Sequence, residues 1–548
     1  MRRVTCAIAL FTFAVLGVAA PAAAPAQTAT SEALRQYEEV LVSAYPVDEP
    51  GAAVLVARGG EVEYLGAAGT ASLELGVPLE PGMVFEIGSI TKQFTAAAIM
   101  MLIEEGRLAL DDPITKFLPD YPDYGQNVTV EHLLTHTSGI VSYTNIPGYM
   151  EAEVRKDLSV EELIDVFKDR PVEFEPGARY AYNNSGYVLL GAIIESVSGM
   201  SYADFVQQRI FDPLGMRDSY YGSLSRVIPD RAPGYDGEPG AWVNAAFVSM
   251  TQPYSAGALM TTLEDLFRWN QALFGGELIS EQSLEMMTTP HLLPNGESTG
   301  YGYGLTTRDI RGRPAVGHGG GIFGYVTDAF YLPEEDVYVA VFCNSTGSEV
   351  PPNLLAGKLA AIAIGDPYPE WEEIALDEAT LQRYAGVYQI DETTQRVVTV
   401  EDGRLYTQRD GGRKLRAFPS SETHFFYKTS LSHFEFVIRG DTIYMLMHQG
   451  GAEQAEEAVR VADAPPPRQP VGVYELMPGF DLTVSRIDDT LTAQATGQPA
   501  VRLMPASETE FFVEEIGAEI TFVRNPDGSV DELILLQGGQ ELRGRRKS

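Results

Sequence analysis

The chain has 548 residues, of which 45% are hydrophobic and 21% charged. That length exceeds one hydrophobic core and predicts two or three domains, while the composition excludes a disordered tail or a coiled coil. The formal net charge of −37 repels phosphate backbones and anionic membranes, which argues against nucleic acid as a partner. The acidity fits either adaptation to a salty habitat or a preference for substrates that carry a free amine.

Residues 1–26 have the features of a cleavable secretory signal. Residues 2–3 are arginines, residues 4–20 are apolar and uncharged, and residues 24–26 (Ala-Pro-Ala) offer a signal peptidase site. A transmembrane anchor is the alternative, but the apolar run is short and has no basic residue on its far side. We expect a periplasmic or secreted protein without stable membrane insertion. Its mature form has 37 basic and 76 acidic residues, a net charge of −39.

The first two thirds of the chain predict an α+β domain. Apolar residues at three- and four-residue spacing predict helices over residues 92–105, 160–167, 186–198, 263–273 and 354–364. Runs rich in β-branched and aromatic residues predict strands over residues 52–58, 62–67, 325–331 and 337–343. Strands at both ends with helices between them predict a sheet that joins the two ends of a domain spanning residues 32–366.

After Gly365 the sequence changes to short strand-like runs separated by turn residues, and it repeats itself. The matching segments lie 86 to 88 residues apart: 386–388 with 472–474 (Gly-Val-Tyr), 421–423 with 507–509 (Ser-Glu-Thr), and 449–451 with 537–539 (Gln-Gly-Gly). Each copy has enough strands for a small antiparallel barrel of about eight strands. We predict barrels at residues 377–463 and 468–548, joined by a proline-rich linker at 464–467.

Cysteine usage excludes an intramolecular disulfide. Cys6 lies in the predicted signal, which leaves Cys343 alone in the mature chain. A lone cysteine can be a nucleophile, but within a hydrophobic strand it is typical of a small core residue, which is our interpretation.

The first candidate for chemistry is Ser-Ile-Thr-Lys at residues 89–92, where a glycine-containing turn enters a predicted helix. Helical positions three apart share a face, so the Ser89 hydroxyl and the Lys92 amine can meet. The positive helix end and burial both disfavour the ammonium form, and a neutral Lys92 can take the serine proton. Taken alone, the tetrapeptide is better explained as a helix cap, because Ser-x-x-Lys occurs often by chance.

Tyr182-Asn183-Asn184 is the second candidate. A tyrosine near a lysine ammonium has a lowered pKa, which would suit Tyr182 to pass a proton to a leaving group. The Asn184 amide can orient a substrate carbonyl and the lysine. Tyr180 is a rival, but only Tyr182 has an asparagine two residues later. A Tyr/Asn turn without a function is the alternative.

The third candidate is residues 317–321 (Gly-His-Gly-Gly-Gly), expected at the head of a strand. Glycines there let the backbone approach a substrate and direct an N–H at an oxyanion. His318 can hydrogen-bond the tyrosine or the substrate. A glycine-rich turn with an incidental histidine is the alternative.

His132 and His136 lie four residues apart, a spacing used by zinc sites. No glutamate follows His132 and no third ligand is close, so the zinc motif is incomplete. We predict a loop without a metal.

The three candidates, in this order, resemble the serine β-lactamase and penicillin-binding-protein superfamily, and more narrowly its class C-like esterase and D-aminopeptidase branch. Secondary similarities are residues 133–139 (LLTHTSG), 256–259 (AGAL) and 301–304 (YGYG), and the similarity covers about residues 54–364. It implies a β-lactamase/transpeptidase-like α+β domain, an antiparallel sheet flanked by helices. The tail resembles lipocalin-like barrels. D-stereospecific aminopeptidases also have two barrels, one of which sends a loop into the catalytic cleft.

The resemblance implies that Ser89 is acylated and that Lys92 and Tyr182 share the base and acid roles. The oxyanion donors would be the N–H groups of Ser89 and Gly321, on the strand that carries Gly320, with His318 completing the site. No cofactor is implied. Many β-lactamases and D,D-peptidases have Lys-Thr-Gly at the third motif, whereas His318 is mostly neutral near pH 7, which weakens recognition of an anionic substrate.

The sequence therefore predicts an exported serine hydrolase of short peptides that contain a D-residue or a non-ribosomal residue. A carboxylesterase is the nearest alternative, and a weak β-lactamase follows; both use the same groups. An alternative of a different class also remains: a protein that binds peptidoglycan or a β-lactam and is acylated without turnover.

Overall fold

The computed structural model describes residues 30–547 except 224, 411, 464–471, 478–479, 488–489, 499, 506–509, 514–516, 525–529 and 538–539. The predicted signal, the linker at 464–467 and the second Ser-Glu-Thr segment lie outside the described residues.

The helices belong mainly to the first domain: α1 (Ser31–Ala44), α2 (Thr91–Glu104), α3 (Val130–Leu134), α4 (Tyr149–Ala152), α5 (Val160–Asp165), α6 (Asn184–Ser198), α7 (Tyr202–Val206), α8 (Asp212–Leu214), α9 (Tyr254–Gly257), α10 (Leu263–Phe274), α11 (Glu281–Thr288), α12 (Pro352–Ala363) and α13 (Glu378–Gln382). The strands of this domain are β1 (Ala52–Arg58), β2 (Glu61–Ala68), β3 (Thr70–Ser72), β4 (Val77–Pro78), β5 (Phe85–Glu86), β6 (Tyr220–Tyr221), β7 (Tyr235–Asp236), β8 (Val243–Asn244), β9 (Leu259–Thr261), β10 (Thr306–Ile310), β11 (Arg313–Ile322), β12 (Tyr325–Leu332) and β13 (Val337–Cys343).

The main sheet has six antiparallel strands in the order β10-β11-β12-β13-β1-β2. The pairing of β1 with β13 confirms the prediction that the sheet joins the two ends of the domain. Because helices cover both faces, β1 and β13 are continuous apolar runs instead of alternating ones. Leu55 contributes to the core on the side of α2 and α6, whereas Val54 packs with α1 and α12.

Two predictions about this domain need correction or completion. The third motif does not stand at the head of a strand, because it occupies the second half of β11 after Arg313-Pro314-Ala315-Val316. Cys343 is fully buried in β13, and burial raises its thiol pKa, as expected of a core residue.

The first barrel is closed and has eight strands: β14 (Gly386–Gln389), β15 (Gln395–Glu401), β16 (Arg404–Arg409), β17 (Leu415–Pro419), β18 (His424–Phe426), β19 (His433–Arg439), β20 (Thr442–His448) and β21 (Glu456–Ala462). The strands of the second copy are β22 (Gly472–Met477), β23 (Phe480–Ile487), β24 (Thr490–Ala495), β25 (Val501–Arg502), β26 (Met504–Pro505), β27 (Glu510–Val513), β28 (Ala518–Arg524), β29 (Val530–Gln537) and β30 (Gln540–Arg546).

The second copy is a nearly closed barrel of the same kind. Its β25 and β26 are the two halves of the strand equivalent to β17, displaced by 86 residues and interrupted at the buried Leu503. The repeat extends to side-chain packing, since an arginine packs against the glycine of each Gly-Val-Tyr segment: Arg460 against Gly386 and Arg546 against Gly472. The predicted repeat of two barrels is confirmed.

Membrane-spanning potential is limited in the described part of the chain. No single helix there is long and apolar enough to cross a membrane. Helix α6 and the segment from Tyr202 to Leu214, which meet at an angle of 76°, are together long and apolar enough by length and composition alone.

One buried amide joins three segments of the first domain. The Asn344 side chain, directly after β13, accepts from Gly51 N at 2.7 Å. Its Nδ2 donates to the backbone oxygens of Thr70, Ala71 and Pro233 at 3.2, 3.1 and 3.0 Å. These groups are buried, so they depend on Asn344 for partners.

We expect Asn344→Ala to destabilise the first domain by about 3 kcal/mol, because it leaves several buried backbone groups without partners. For a domain of this size the apparent unfolding temperature should fall by about 4 °C, measured by differential scanning calorimetry. Asn295→Ala, at an exposed turn where the amide accepts only from Glu297 N, is the control and should change it by less than about 1 °C. Equal unfolding temperatures for the two variants would contradict this role.

Candidate active site

Ser89 lies on a tight turn between strand β5 and the long buried helix α2. A 3-10 turn over Gly88–Ile90 leads directly into α2. Gly88 has a φ of +49°, and a Cβ there would lie 2.9 Å from the backbone N of Gly321. Only glycine permits this contact, which sets the serine turn against strand β11.

Lys92 occupies the first turn of α2 and faces Ser89, as the spacing predicted. Its Nζ lies 3.0 Å from Ser89 Oγ, 2.8 Å from Asn184 Oδ1 and 2.8 Å from the Ala256 carbonyl oxygen. The side chain is completely buried, and among the described residues no carboxylate lies within 4 Å of Nζ. Desolvation therefore lowers the pKa of Lys92 well below its usual value.

The three partners fix how a neutral Lys92 uses its atoms. A neutral amine has two N–H groups and one lone pair. Asn184 Oδ1 and the Ala256 carbonyl are pure acceptors and take the two N–H groups. The lone pair is left for the Ser89 O–H, so the serine hydroxyl donates to the group that can remove its proton.

Asn184 is held in one orientation by its neighbours. Asn183 caps α6 by accepting from Gly186 N, which places Asn184 at the first position of the helix. Its Nδ2 donates to Thr144 Oγ1 at 3.1 Å. The amide oxygen is thereby directed to Lys92.

Tyr182 lies beside Lys92, whose Nζ is 4.8 Å from the centre of the tyrosine ring. Tyr180, the rival, instead packs against His136 and Tyr301 at 6.0 and 6.1 Å between ring centres. The expectation of a lowered tyrosine pKa is wrong. Burial raises the pKa of Tyr182, the interaction with Ser89 only partly opposes this, and a neutral Lys92 supplies no positive charge to lower it. Tyr182 is therefore a phenol at neutral pH and a proton donor.

His318 sits in the middle of β11 with both ring nitrogens engaged. Nδ1–H donates to the Gly319 carbonyl at 2.5 Å, and Nε2 accepts from the Tyr301 hydroxyl at 3.0 Å. The sequence predicted a bond to the catalytic tyrosine or to substrate, but the partner is Tyr301. The ring centre lies 6.1 Å from that of Tyr182. Burial and, to a lesser extent, Lys92 lower the pKa of His318 to about 3.

The last residues of the third motif bring β11 against the serine turn. A Cβ at Gly320 would lie 2.0 Å from the Ile87 carbonyl oxygen, so no larger residue fits. At Gly321 a Cβ would meet nothing within 4 Å, because this residue borders the open cleft. The structure thus brings Ser89 and Gly321, the two predicted oxyanion donors, to the same place.

His136 and Tyr301 were not singled out as functional residues from the sequence, although both lie in the secondary similarities. His136 has a φ of +58° and is buried, and its Nδ1 accepts from Asn183 N at 3.0 Å. Its ring centre lies 4.4 Å from that of Tyr182 and 4.5 Å from that of Tyr301. His136 therefore supports the tyrosine from behind.

His132 has a different role from His136. Its Nδ1 accepts from Thr129 N in the cap of α3. Within the described part of the chain, no group of three or more His, Cys, Asp or Glu side chains is arranged to hold a metal ion.

A cleft of about 300 Å³ opens at Ser89 and Gly321. Its walls are mostly apolar, from Met150, Val154 and Phe323. That size suits a small acyl group or one to two amino-acid residues.

Known proteins share the first domain and part of the tail. The Beta-lactamase family profile matches residues 41–363, more than half of the chain. A second profile, described as a domain of unknown function (DUF3471), matches residues 459–546, which include the second barrel.

Three relatives differ in the functions that their names state. Penicillin-binding protein 4* of Bacillus subtilis (strain 168) is 34% identical over 434 residues, covering 74% of this chain and 94% of its own length. A D-aminopeptidase of Gluconobacter oxydans (strain 621H) is 29% identical over 360 residues, 64% of this chain and 66% of its own. Esterase EstB of Burkholderia gladioli is 35% identical over 205 residues, 34% of this chain and 51% of its own. The chain therefore belongs to the β-lactamase and penicillin-binding-protein superfamily, and it is a serine hydrolase of that fold, related to D-aminopeptidases and esterases.

Proposed function

We propose that this protein is an exported hydrolase that cleaves amide bonds of short peptides, with a D-residue or an unusual residue at the scissile bond, through an acyl-enzyme on Ser89. The observation that carries the proposal is the buried Lys92 amine, 3.0 Å from Ser89 Oγ, whose two other partners are both acceptors. A buried neutral amine in this position can remove the hydroxyl proton at neutral pH.

The reaction begins when Ser89 Oγ attacks the scissile carbonyl carbon and its proton passes to Lys92 Nζ. The N–H groups of Ser89 and Gly321 stabilise the resulting oxyanion. Tyr182 gives its phenolic proton to the departing nitrogen as the C–N bond breaks, and Lys92 returns the captured proton to Tyr182. Water then attacks the ester with the same base, which releases the acid and restores the Ser89 hydroxyl.

Two features support a peptide substrate that does not need a carboxylate to bind at the third motif. His318 is uncharged, with a pKa lowered to about 3, so this strand position offers no cation to an anionic β-lactam or peptide C-terminus. The similarity to a D-aminopeptidase supports the D-residue preference. The carboxylesterase, the β-lactamase and the acylated binding protein use the same Ser89 chemistry, and kinetics distinguish them.

We predict that the wild-type enzyme hydrolyses D-alanine p-nitroanilide faster than L-alanine p-nitroanilide, a p-nitrophenyl ester or a chromogenic cephalosporin. Ser89→Ala should lower kcat/KM by about a thousandfold or more, because the nucleophile is lost. Ser196→Ala, at an exposed hydroxyl that donates to Phe117 O, is the matched control and should retain wild-type rates.

Each other outcome has a distinct meaning. Ester turnover with inert anilides would replace the proposal by a carboxylesterase, and a preference for the cephalosporin would replace it by a β-lactamase. A long-lived adduct in intact-mass spectra without product would indicate a binding protein. Activity that survives Ser89→Ala would refute the mechanism.

The second prediction concerns pH. Because the pKa of His318 is about 3, its imidazole stays neutral from pH 5 to 9 and contributes no step in that range. The acid limb of kcat/KM belongs to Lys92, whose neutral form is the base, so activity rises with pH through the lysine pKa. His318→Gln should lower the rate but leave this limb at the same pH. His291→Gln, at a half-buried histidine that does not line the cleft, is the control and should leave both the rate and the limb unchanged. A limb near pH 6.5 that disappears in His318→Gln would show that His318 titrates.

Export is supported by the basic and apolar leader over residues 1–26. We expect mature protein from the periplasm or the medium to begin at Gln27, determined by N-terminal sequencing. Recovery of an exported chain that still begins at Met1 would favour an uncleaved anchor.

A further inference from the structure

The cleft has a single charged side chain among the described residues that line it, and that side chain is Asp236. Lys92 is buried behind Ser89 and does not line the cleft, and burial holds its pKa low. The cleft therefore presents one negative group and no positive group to a substrate.

The Asp236 carboxylate is fixed by neutral donors from three separate segments. Oδ1 accepts from Thr346 Oγ1 at 2.6 Å, after β13, and from Gly324 N at 3.2 Å, in the turn between β11 and β12. Oδ2 accepts from Ala246 N at 3.3 Å. Within the described part of the chain, no lysine, arginine or histidine lies within 4 Å of this carboxylate. Its orientation is set while its charge stays uncompensated.

The position of Asp236 along the cleft indicates which half of the substrate lies near it. β11 runs from His318 past Gly321 to the turn that binds Asp236. Tyr182 lies near the His318 part of this strand, with ring centres 6.1 Å apart, and the group it protonates must be the leaving group. The acyl half of the substrate consequently extends toward Asp236. Gly324 is three residues beyond Gly321, at most about 11 Å, which one or two amino-acid residues can span.

We propose that Asp236 binds a protonated amine on the acyl half of the substrate, the free N-terminal ammonium of a one- or two-residue acyl group. The inference rests on the proposed peptide hydrolysis and makes it an aminopeptidase type of selectivity. A carboxylate held by neutral donors gives an ammonium a charge-assisted hydrogen bond that an N-acylated substrate cannot form.

The test compares free-amine and N-acetylated p-nitroanilides of D-alanine and D-alanyl-D-alanine. Wild-type enzyme should prefer the free amines, and Asp236→Asn should lower kcat/KM for the best free-amine substrate about 10- to 100-fold more than for its acetylated partner. Glu238→Gln, which removes an exposed carboxylate two residues away, should leave the ratio of the two substrates unchanged. An equal loss on both substrates in Asp236→Asn, or a wild-type enzyme indifferent to acetylation, would overturn the proposal.

A second pair of substrates separates this proposal from that of peptide hydrolysis. D-alanine methyl ester and methyl propionate differ only by the amine, and their hydrolysis is followed by titration of the acid released. If anilides are inert but esters react, peptide hydrolysis is refuted. An amine preference on the esters that Asp236→Asn abolishes would then still support the role of Asp236, and the absence of any preference would refute it as well.

Discussion

The burial of the Lys92 amine among neutral partners is the constraint on which the rest of the site depends. Moving an ammonium out of water without a counter-ion costs several kcal/mol, so the group loses its proton instead. The helix that carries it, α2, is apolar on nearly all sides and is buried against α6 and α9. The packing of α2 therefore lowers the pKa of Lys92, so the hydrophobic core controls a property of the active site.

The same constraint explains the aromatic and histidine cluster around Tyr182. His136 and His318 are both buried, and the pKa of each is lowered first by desolvation and then by the positive charge Lys92 would carry. Three basic groups so close together cannot all be protonated, and desolvation favours the neutral form of each. The Gly319 carbonyl and the Asn183 N–H set the tautomers of His318 and His136, and the Tyr301 hydroxyl bonds the second nitrogen of His318. The cluster thus holds Tyr182 in place by ring packing.

Much of this was predictable because it depends on local patterns. The spacing of Ser89 and Lys92 placed them on one helix face, and continuous apolar runs located β1 and β13. The direction of the Tyr182 pKa shift was not predictable, because desolvation depends on which elements cover the hydroxyl. Neither was Asp236, which stands in a turn-rich segment whose neighbours in space, Thr346 and Gly324, are about 90 to 110 residues away. The third motif was misplaced within its strand because Pro314, near the start of β11, and Gly312, directly before the strand, are typical of a turn.

The barrels contribute no described residue to the cleft in which we propose that an amine is bound. The first barrel meets the hydrolase domain far along the chain from the serine, where Arg311 of that domain lies 3.8 Å from Glu453 of the barrel. Leu431 of the same barrel packs at Gly357 in α12, on the face of the sheet opposite α2. Among the described residues every side chain that lines the cleft comes from the hydrolase domain, between Gly88 and Thr346. A loop that enters the cleft from a barrel, as the resemblance to D-stereospecific aminopeptidases implied, is not found in that lining. Asp236 supplies an acidic group from within the hydrolase domain instead, so the selectivity for an amine that we propose does not require a barrel.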